Sequence, residues 1–250
     1  MFKGFSKAAS DYSRAFKLFS ELKLWKYTLV PVLVGLLVGA GIITLSYTLS
    51  DNIGAWLADF WLWDWGSDTV GAISNFLGGV VALVLGFMIY KHAVMAISAP
   101  FMAPISEKIE THLTGKEMEK QSARTFVTLL VRGIRINVRN LLMELLITIP
   151  LLILSIIPLL NLISGLAILY TQAFYAGFGN MDYTLERHRN YKDSIRFINK
   201  NKGTAAGNGI VFILFLMIPL VGISLALPFS CAAATISTVR RLESLPAKGS

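Results

Sequence analysis

The stretch from Asn140 to Phe178 (NLLMELLITIPLLILSIIPLLNLISGLAILYTQAFYAGF) constrains the fold more than any other part of the chain. It is almost wholly apolar, holds no Lys or Arg, and is interrupted by Pro150 and Pro158, with Asn161 just past the second proline. A soluble domain would have to hide the whole run in a core, whereas a bilayer accepts it directly. The segment Ile218–Ser224 repeats the arrangement of Ile157–Ser164, again around a proline, Pro219. Two Pro-broken apolar segments, spanning 140–178 and 205–239, predict two helical hairpins that dip into or cross a membrane. Such breaks are tolerated at membrane depth where protein or a water-filled cavity satisfies the freed backbone groups.

Composition agrees with that environment. Of 250 residues, 54% are hydrophobic and 15% charged, against about 25% charged in soluble domains. The run 27–49 is long enough to cross a core of about 30 Å at about 1.5 Å per residue, and 70–95 supplies a second span. In the first span Gly35, Gly39 and Gly41 permit close helix packing. Residues 1–26 alternate Phe2, Phe5, Phe16 and Leu18 with Lys3, Lys7, Arg14 and Lys17, as in an amphipathic helix on an anionic membrane surface or a basic tail that orients the first span. The N-terminus lacks the short apolar core and cleavage site of a signal peptide and is read as retained. The expected fold is an all-α integral membrane protein forming a single membrane domain. It has two long transmembrane helices, two Pro-broken helical hairpins and amphipathic interfacial helices.

Charge placement sets the sidedness. The net charge is +8, yet no Lys or Arg falls in the loop Asp51–Asp68 or at the hairpin tips. That loop instead carries Asp51, Asp59, Asp64 and Asp68 with Trp56, Trp61, Trp63 and Trp65, the pattern of an interfacial aromatic belt. Two spans and two returning hairpins place every basic segment, and both termini, in the cytoplasm, in accord with the positive-inside rule. The basic charge is thereby accounted for without a nucleic-acid partner; the partners expected are a lipid bilayer and, for the reasons below, a small anion.

Four motifs in register carry a family resemblance. Ala99-Pro100-Phe101, then Ser106-Glu107-Lys108-Ile109-Glu110 and Leu113-Thr114-Gly115, resemble the cytoplasmic motif after the second helix of the CysZ sulfate permease/etoposide-induced membrane protein family. Asp182-Tyr183, followed by basic residues and a helix containing Phe197, is similar to that family's segment after the first hairpin. The Pro158-Leu159-Leu160-Asn161 tip and the Pro219 tip resemble the family's tips in the same order. The resemblance covers roughly the whole chain. It implies the helix-and-hairpin fold above, a homo-oligomer in the bacterial cytoplasmic (inner) membrane, and passage of a small oxyanion, sulfate or sulfite, feeding cysteine synthesis. It also implies an anion-binding segment at the entrance to the first span. Where the family has a Gly-Leu-Arg-Arg-like stretch, this chain reads Lys23-Leu24-Trp25-Lys26.

The residues themselves leave several readings open. Lys23 and Lys26 at a helix N-terminus suit an anion, because side-chain charge and free backbone N–H groups converge there; equally, they suit snorkelling lysines at the membrane edge. Arg132, Arg135 and Arg139 share one helical face, facing an anion path or lipid phosphates. Glu144 is an intramembrane carboxylate, a functional position by default, or else a partner of Arg139 or Asn140. Asn161 contacts a passing ion or caps the backbone that Pro158 frees. Glu107, Glu110 and His112 read as a solvated, salt-bridged helix rather than a metal site, since His112 is off the face the two glutamates share. His92 and His188, beside Lys91 and Arg187, have the setting of exposed histidines. The single cysteine, Cys231, forms no internal disulfide. No catalytic or cofactor motif is present, so neither enzyme activity nor a cofactor is expected.

Overall fold

A computed structural model describes residues 2–58, 84–116, 126–155, 157–218 and 221–244. Among them every regular element is helical. The Asp/Trp loop beyond residue 58, the first part of the 70–95 span and Pro219 lie outside the described residues.

Helix α1 (Phe2–Glu21) turns through Lys23 into a short 3-10 turn (Leu24–Tyr27) and then α2 (Leu29–Ala58). Part of the apolar face of α1 is covered by other helices, while Phe16 stays 58% exposed. Tyr12, Ala15, Leu18 and Phe19 are buried, and the helix packs against α8 and α9, introduced below. Pro31 stands in the first turn of α2, where its missing N–H is not needed.

Helix α3 (Val84–Ile97) bends by 66° into α4 (Ala99–Thr114). Pro100, in the first turn of α4, cannot donate back into α3, so the chain changes direction at Ser98. Helix α4 ends where Gly115 adopts a left-handed conformation (φ 66°), its N–H bonding Thr111 O at 2.9 Å. That C-terminal geometry favours glycine.

Helices α5 (Phe126–Leu154) and α6 (Pro158–His188) pack against each other across a break of three residues. Ile157 is extended (φ −79°, ψ 116°), the conformation a following proline imposes, and Pro158 opens α6. At about 1.5 Å per residue both helices exceed the ~30 Å hydrocarbon core. The arginine-bearing segment before residue 140 is continuous with α5. By length and composition Leu24–Thr44, Phe126–Leu154 and Leu159–His188 each suffice to cross a membrane.

Helix α7 (Tyr191–Lys200) begins at Asn190, whose side chain accepts a hydrogen bond from Asp193 N–H at 2.9 Å. Asn190→Ala should therefore lower thermal stability in detergent by about 1 kcal/mol, the usual worth of such a cap. Helices α8 (Lys202–Leu216) and α9 (Val221–Glu243) complete the chain.

The core lies where α6, α8, α9, α1 and α4 meet, around Phe19, Met102, Ile105, Phe212 and Phe229 and the small-residue run Cys231–Ala234 on α9. On α2, α5 and the start of α6, Leu33, Leu37, Leu146, Ile153, Leu159 and Leu162 stay exposed. That is the inverse of a soluble protein's patterning and suits helices whose outer faces meet acyl chains.

Candidate functional site

Inside these apolar helices runs a buried polar row. On α5, Asn137, Asn140, Glu144 and Thr148 are all buried; offsets of three and four place them along one face. Two residues of α3 meet that face. Lys91 Nζ donates to Glu144 Oε1 at 2.5 Å, and His92 Nε2 lies 2.8 Å from Glu144 Oε2. Neither Lys91 nor Glu144 has any exposed side-chain area. Lys91 also reaches Gln172 O on α6, at 3.5 Å, and its ammonium lies 5.8 Å from the Phe87 ring centroid. His92 Nδ1 is 3.2 Å from Asn137 Oδ1, and Asn137 Nδ2 donates to Gly133 O at 2.9 Å.

A second polar assembly joins α4, α6 and α9. Glu110 accepts from Arg187 Nε at 3.0 Å and Nη2 at 2.7 Å, and also pairs with His188. Arg187 Nη2 further donates to Ser106 Oγ at 2.7 Å. Ser106, Thr184 and Thr235 form a closed trio of hydroxyls, each 3.0 Å from the next. Nearby, Arg132 grips Asp182 with two bonds, of 2.9 and 2.8 Å, and donates to Arg189 O and Ser194 Oγ. Tyr183 donates its hydroxyl to Met95 O at 2.6 Å, tying α6 to α3.

At the entrance to α2, Lys23 adopts a left-handed backbone (φ 52°, ψ 46°), the one non-glycine with positive φ among the described residues. The first N–H groups of a helical turn lack partners within it, and Lys23 and Lys26 are both exposed beside them. Leu24 is fully buried, while Trp25 packs edge-on against Phe19 and Phe229, with centroids 5.6 and 5.7 Å away. Adjacent to this turn a hollow is lined by Tyr27 and by Glu107, Lys108 and His112 of α4. A separate cavity of about 490 Å³ is lined by Lys7, Lys200, Arg240 and Arg241, with Asp11 paired to Arg240. Burial pushes the Asp11 carboxyl above the usual carboxylate range, an effect that Arg240 opposes.

Residues 11–226 match the model of the family described as "Sulfate transporter CysZ/Etoposide-induced protein 2.4". The chain belongs to this family. A protein named sulfate transporter CysZ from Pseudomonas fluorescens is 33% identical over 156 residues, covering 61% of this chain and 62% of the relative, a little under two thirds of its length. One of the same name from Vibrio cholerae serotype O1 is 24% identical over 216 residues, 84% of each chain. A third, from Pseudomonas syringae pv. tomato, is 29% identical over 64% of each chain.

Several residues of the motifs singled out in the sequence have structural work in this chain. Pro100 sets the bend into α4 and Gly115 ends that helix; Phe101 meets Phe126 edge-on, with centroids 5.5 Å apart. Glu110, Asp182 and Tyr183 hold helices together as above, and Glu107 stays exposed beside the entrance hollow. Other expectations change. Glu110 is buried, so α4 is not simply a solvated, salt-bridged helix. His92 is 2% exposed and holds Glu144, and His188 pairs with Glu110, so neither is a free surface histidine. Glu144 takes Lys91 and His92 as partners; Arg139 instead donates to Asn140 Oδ1 at 3.0 Å and lies over the Phe178 ring at 5.1 Å. Arg135 stacks on Tyr191 at 4.0 Å. Asn161 is exposed, its backbone N–H bonding Ile157 O at 3.0 Å, and no side-chain cap is formed at the start of α6. Lys91 went unrecognised because it opens a basic region of the sequence. Its signal was position: it lies eight residues before the Ala99-Pro100-Phe101 break, still inside an apolar helix.

Proposed function

We propose that this chain is a permease of the bacterial inner membrane that admits a small oxyanion, sulfate first, to supply cysteine synthesis. Its termini lie in the cytoplasm and it works as a homo-oligomer. The observation that carries this reading is the family match across residues 11–226, with relatives named as sulfate transporters over most of the chain. The family is one of transporters rather than enzymes. At the entrance, the left-handed Lys23 turns the chain into a short helical start, with Lys23 and Lys26 both exposed beside it. Consecutive N–H groups after a left-handed residue form a concave anion receptor. Lys offers a point charge where Arg would grip bidentately, so the peptide groups carry more of the binding here. The basic cavity around Arg240, Arg241, Lys7 and Lys200 suits release on the cytoplasmic side.

Uptake of labelled sulfate into proteoliposomes tests the reading. The Lys23→Ala/Lys26→Ala protein should take up sulfate roughly tenfold or more slowly than the parent, the effect of removing charged hydrogen-bond donors. Unchanged uptake would remove this entrance while leaving the permease. Parent protein that moves no sulfate, sulfite or thiosulfate above empty liposomes would sink the proposal.

One observation favours a second reading, a membrane scaffold that binds lipids or partner proteins. Trp25, in the stretch where an anion site is expected, is a packing residue held by Phe16, Phe19 and Phe229. Co-purification of a stable, unrelated partner together with absent uptake would support the scaffold.

A further inference from the structure

The cavity between α1, α8 and α9 carries more positive charge than the fold around it neutralises. Lys7, Lys200, Arg240 and Arg241 line it, against one lining carboxylate, Asp11. Asp11 is paired with Arg240, and Arg241 donates to a neutral hydroxyl, Thr204 Oγ1, at 3.3 Å. Lys7 and Lys200 are exposed and form no ion pair among the described residues. Lys7, Lys200 and Arg241 therefore leave the cavity with surplus positive charge.

The backbone adds to that charge. Helix α8 starts in this wall, at Gly203 and Thr204, and the first N–H groups of a helix lack partners within it. Asn201 does not cap them, because its side chain donates back to Phe197 O at 2.9 Å. Gly203 is exposed with nothing within 4 Å of where a Cβ would stand, so an acceptor can reach the peptide groups here. The helix ends of opposite polarity are closed off. Asn201 takes the α7 carbonyl, and Ser244 takes Arg240 O and Arg241 O of α9, at 3.3 and 2.9 Å. A helix start flanked by cations suits a phosphoryl group.

Deeper in, Asn208 lines the cavity and is 2% exposed. Ser230 Oγ receives a hydrogen from Asn180 Nδ2 at 2.6 Å and gives its own to Asn208 Oδ1 at 3.0 Å. That leaves the amide N–H groups of Asn208 as the spare ones. Asn208 Nδ2 has no partner among the described residues, a rare state for a buried polar atom. The cavity measures about 490 Å³, within the range of about 300–1,000 Å³ usual for small-molecule sites and far more than a bare tetrahedral ion fills. No aromatic ring is among its lining residues, so nothing there would stack a nucleobase.

We propose that this cavity is a binding site for a phosphate monoester, its phosphoryl group held by Lys7, Lys200 and Arg241 beside the start of α8 and an oxygen of its ester body held by Asn208. A dianion answers the surplus charge, and a polar body carrying oxygens answers the volume and the buried donor. The same chemistry occurs free in the cytoplasm and, with acyl chains attached, in the headgroup of phosphatidic acid. A ligand there joins α1 to α8 and α9, and binding is independent of whether the chain carries sulfate.

Titration calorimetry of the detergent-solubilised full chain tests the site without any transport readout. Glycerol phosphate should bind at least tenfold more tightly than sodium sulfate or inorganic phosphate at equal ionic strength. The Lys200→Gln/Arg241→Gln protein, altered only at exposed side chains, should lose about tenfold or more in that affinity, as expected for lost charged hydrogen bonds. Asn208→Asp keeps the acceptor for Ser230 while removing the spare donor, and should abolish the preference for glycerol phosphate over inorganic phosphate; melting of each variant without ligand establishes that it is folded. Nanodiscs of phosphatidylcholine, with and without phosphatidic acid, separate the two sources. Phosphatidic acid that raises the melting temperature of the parent but not of the double variant, and blocks the glycerol phosphate titration, assigns the site to the lipid headgroup; an undisturbed titration assigns it to a soluble ester. Equal glycerol phosphate affinity in parent and folded double variant, sulfate bound as tightly as the ester, or no response to either ester overturns the site. Each of these outcomes leaves the permease reading untouched, since that reading fails only on uptake.

Discussion

Glu110→Ala is expected to lower the stability of the detergent-solubilised protein by about 3–5 kcal/mol, the range seen when one partner of a buried charge pair is removed. Glu110 is 2% exposed and accepts both Arg187 bonds as well as that of His188. Truncation leaves the guanidinium, itself only 13% exposed, with the neutral acceptors Tyr183 O and Ser106 Oγ but without the carboxylate that it grips. The damage should spread, because Arg187 positions Ser106 within the hydroxyl trio that joins α4 to α6 and α9. Glu110→Gln keeps one acceptor and should cost clearly less. Arg187→Ala should cost nearly as much as Glu110→Ala, and the double variant less than the sum, the signature of direct coupling. Thermal unfolding of the four proteins decides the matter: additive losses, or an unaltered melting temperature for Glu110→Ala, would show that the pair does not hold these helices.

The contrast between Glu110 and its sequence shows what a linear reading can reach. The apolar runs, the breaks at Pro100 and Pro158 and the glycine stop at Gly115 are local, because each follows from a few neighbouring residues: a missing N–H, a restricted residue before proline, a left-handed helix end. Glu110 is different, since its partners Arg187 and His188 lie 77 and 78 positions away. Its neighbours in sequence, Glu107 and Lys108, are exposed, so the local pattern suggests a solvated face. Glu144 posed the same problem: Arg139 and Asn140 were near in sequence, but Lys91, 53 residues away, arrives only because α3 packs on α5. Gly133 allows that approach, since a Cβ there would stand 2.9 Å from Ala96 O. The apolar stripe of α1 was legible as a stripe, but whether lipid or α8 and α9 would cover it depended on helices near the other end of the chain. At the entrance, the composition Lys23-Leu24-Trp25-Lys26 hid a left-handed turn, because lysine is not a residue that signals one.

Gly177→Ala and Gly209→Ala are each expected to destabilise the fold, against the trend of their own helices. Both glycines sit inside helices, α6 and α8, where alanine is ordinarily favoured by about 1 kcal/mol. The close crossing of the two helices reverses the sign. A Cβ on Gly209 would collide with the carbonyl of Ala173 and lie 2.7 Å from Gly177 N; one on Gly177 would collide with the carbonyl of Ala205 and lie 2.9 Å from Gly209 N. The obstacles are backbone atoms, which no rotamer change can move, so the helices must separate at an overpacking cost of about 1–3 kcal/mol. Small residues four apart on both helices, Ala173 with Gly177 and Ala205 with Gly209, let the backbones meet, the usual way membrane helices gain packing where lipid tails remove the hydrophobic incentive. Gly165 is the internal control: it lies on α6 with nothing within 4 Å of its would-be Cβ, so Gly165→Ala should be neutral or stabilising. If Gly177→Ala melts with Gly165→Ala, the crossing is looser than these distances state. If it melts below, α6 is pinned to α8 at this crossing by backbone contact.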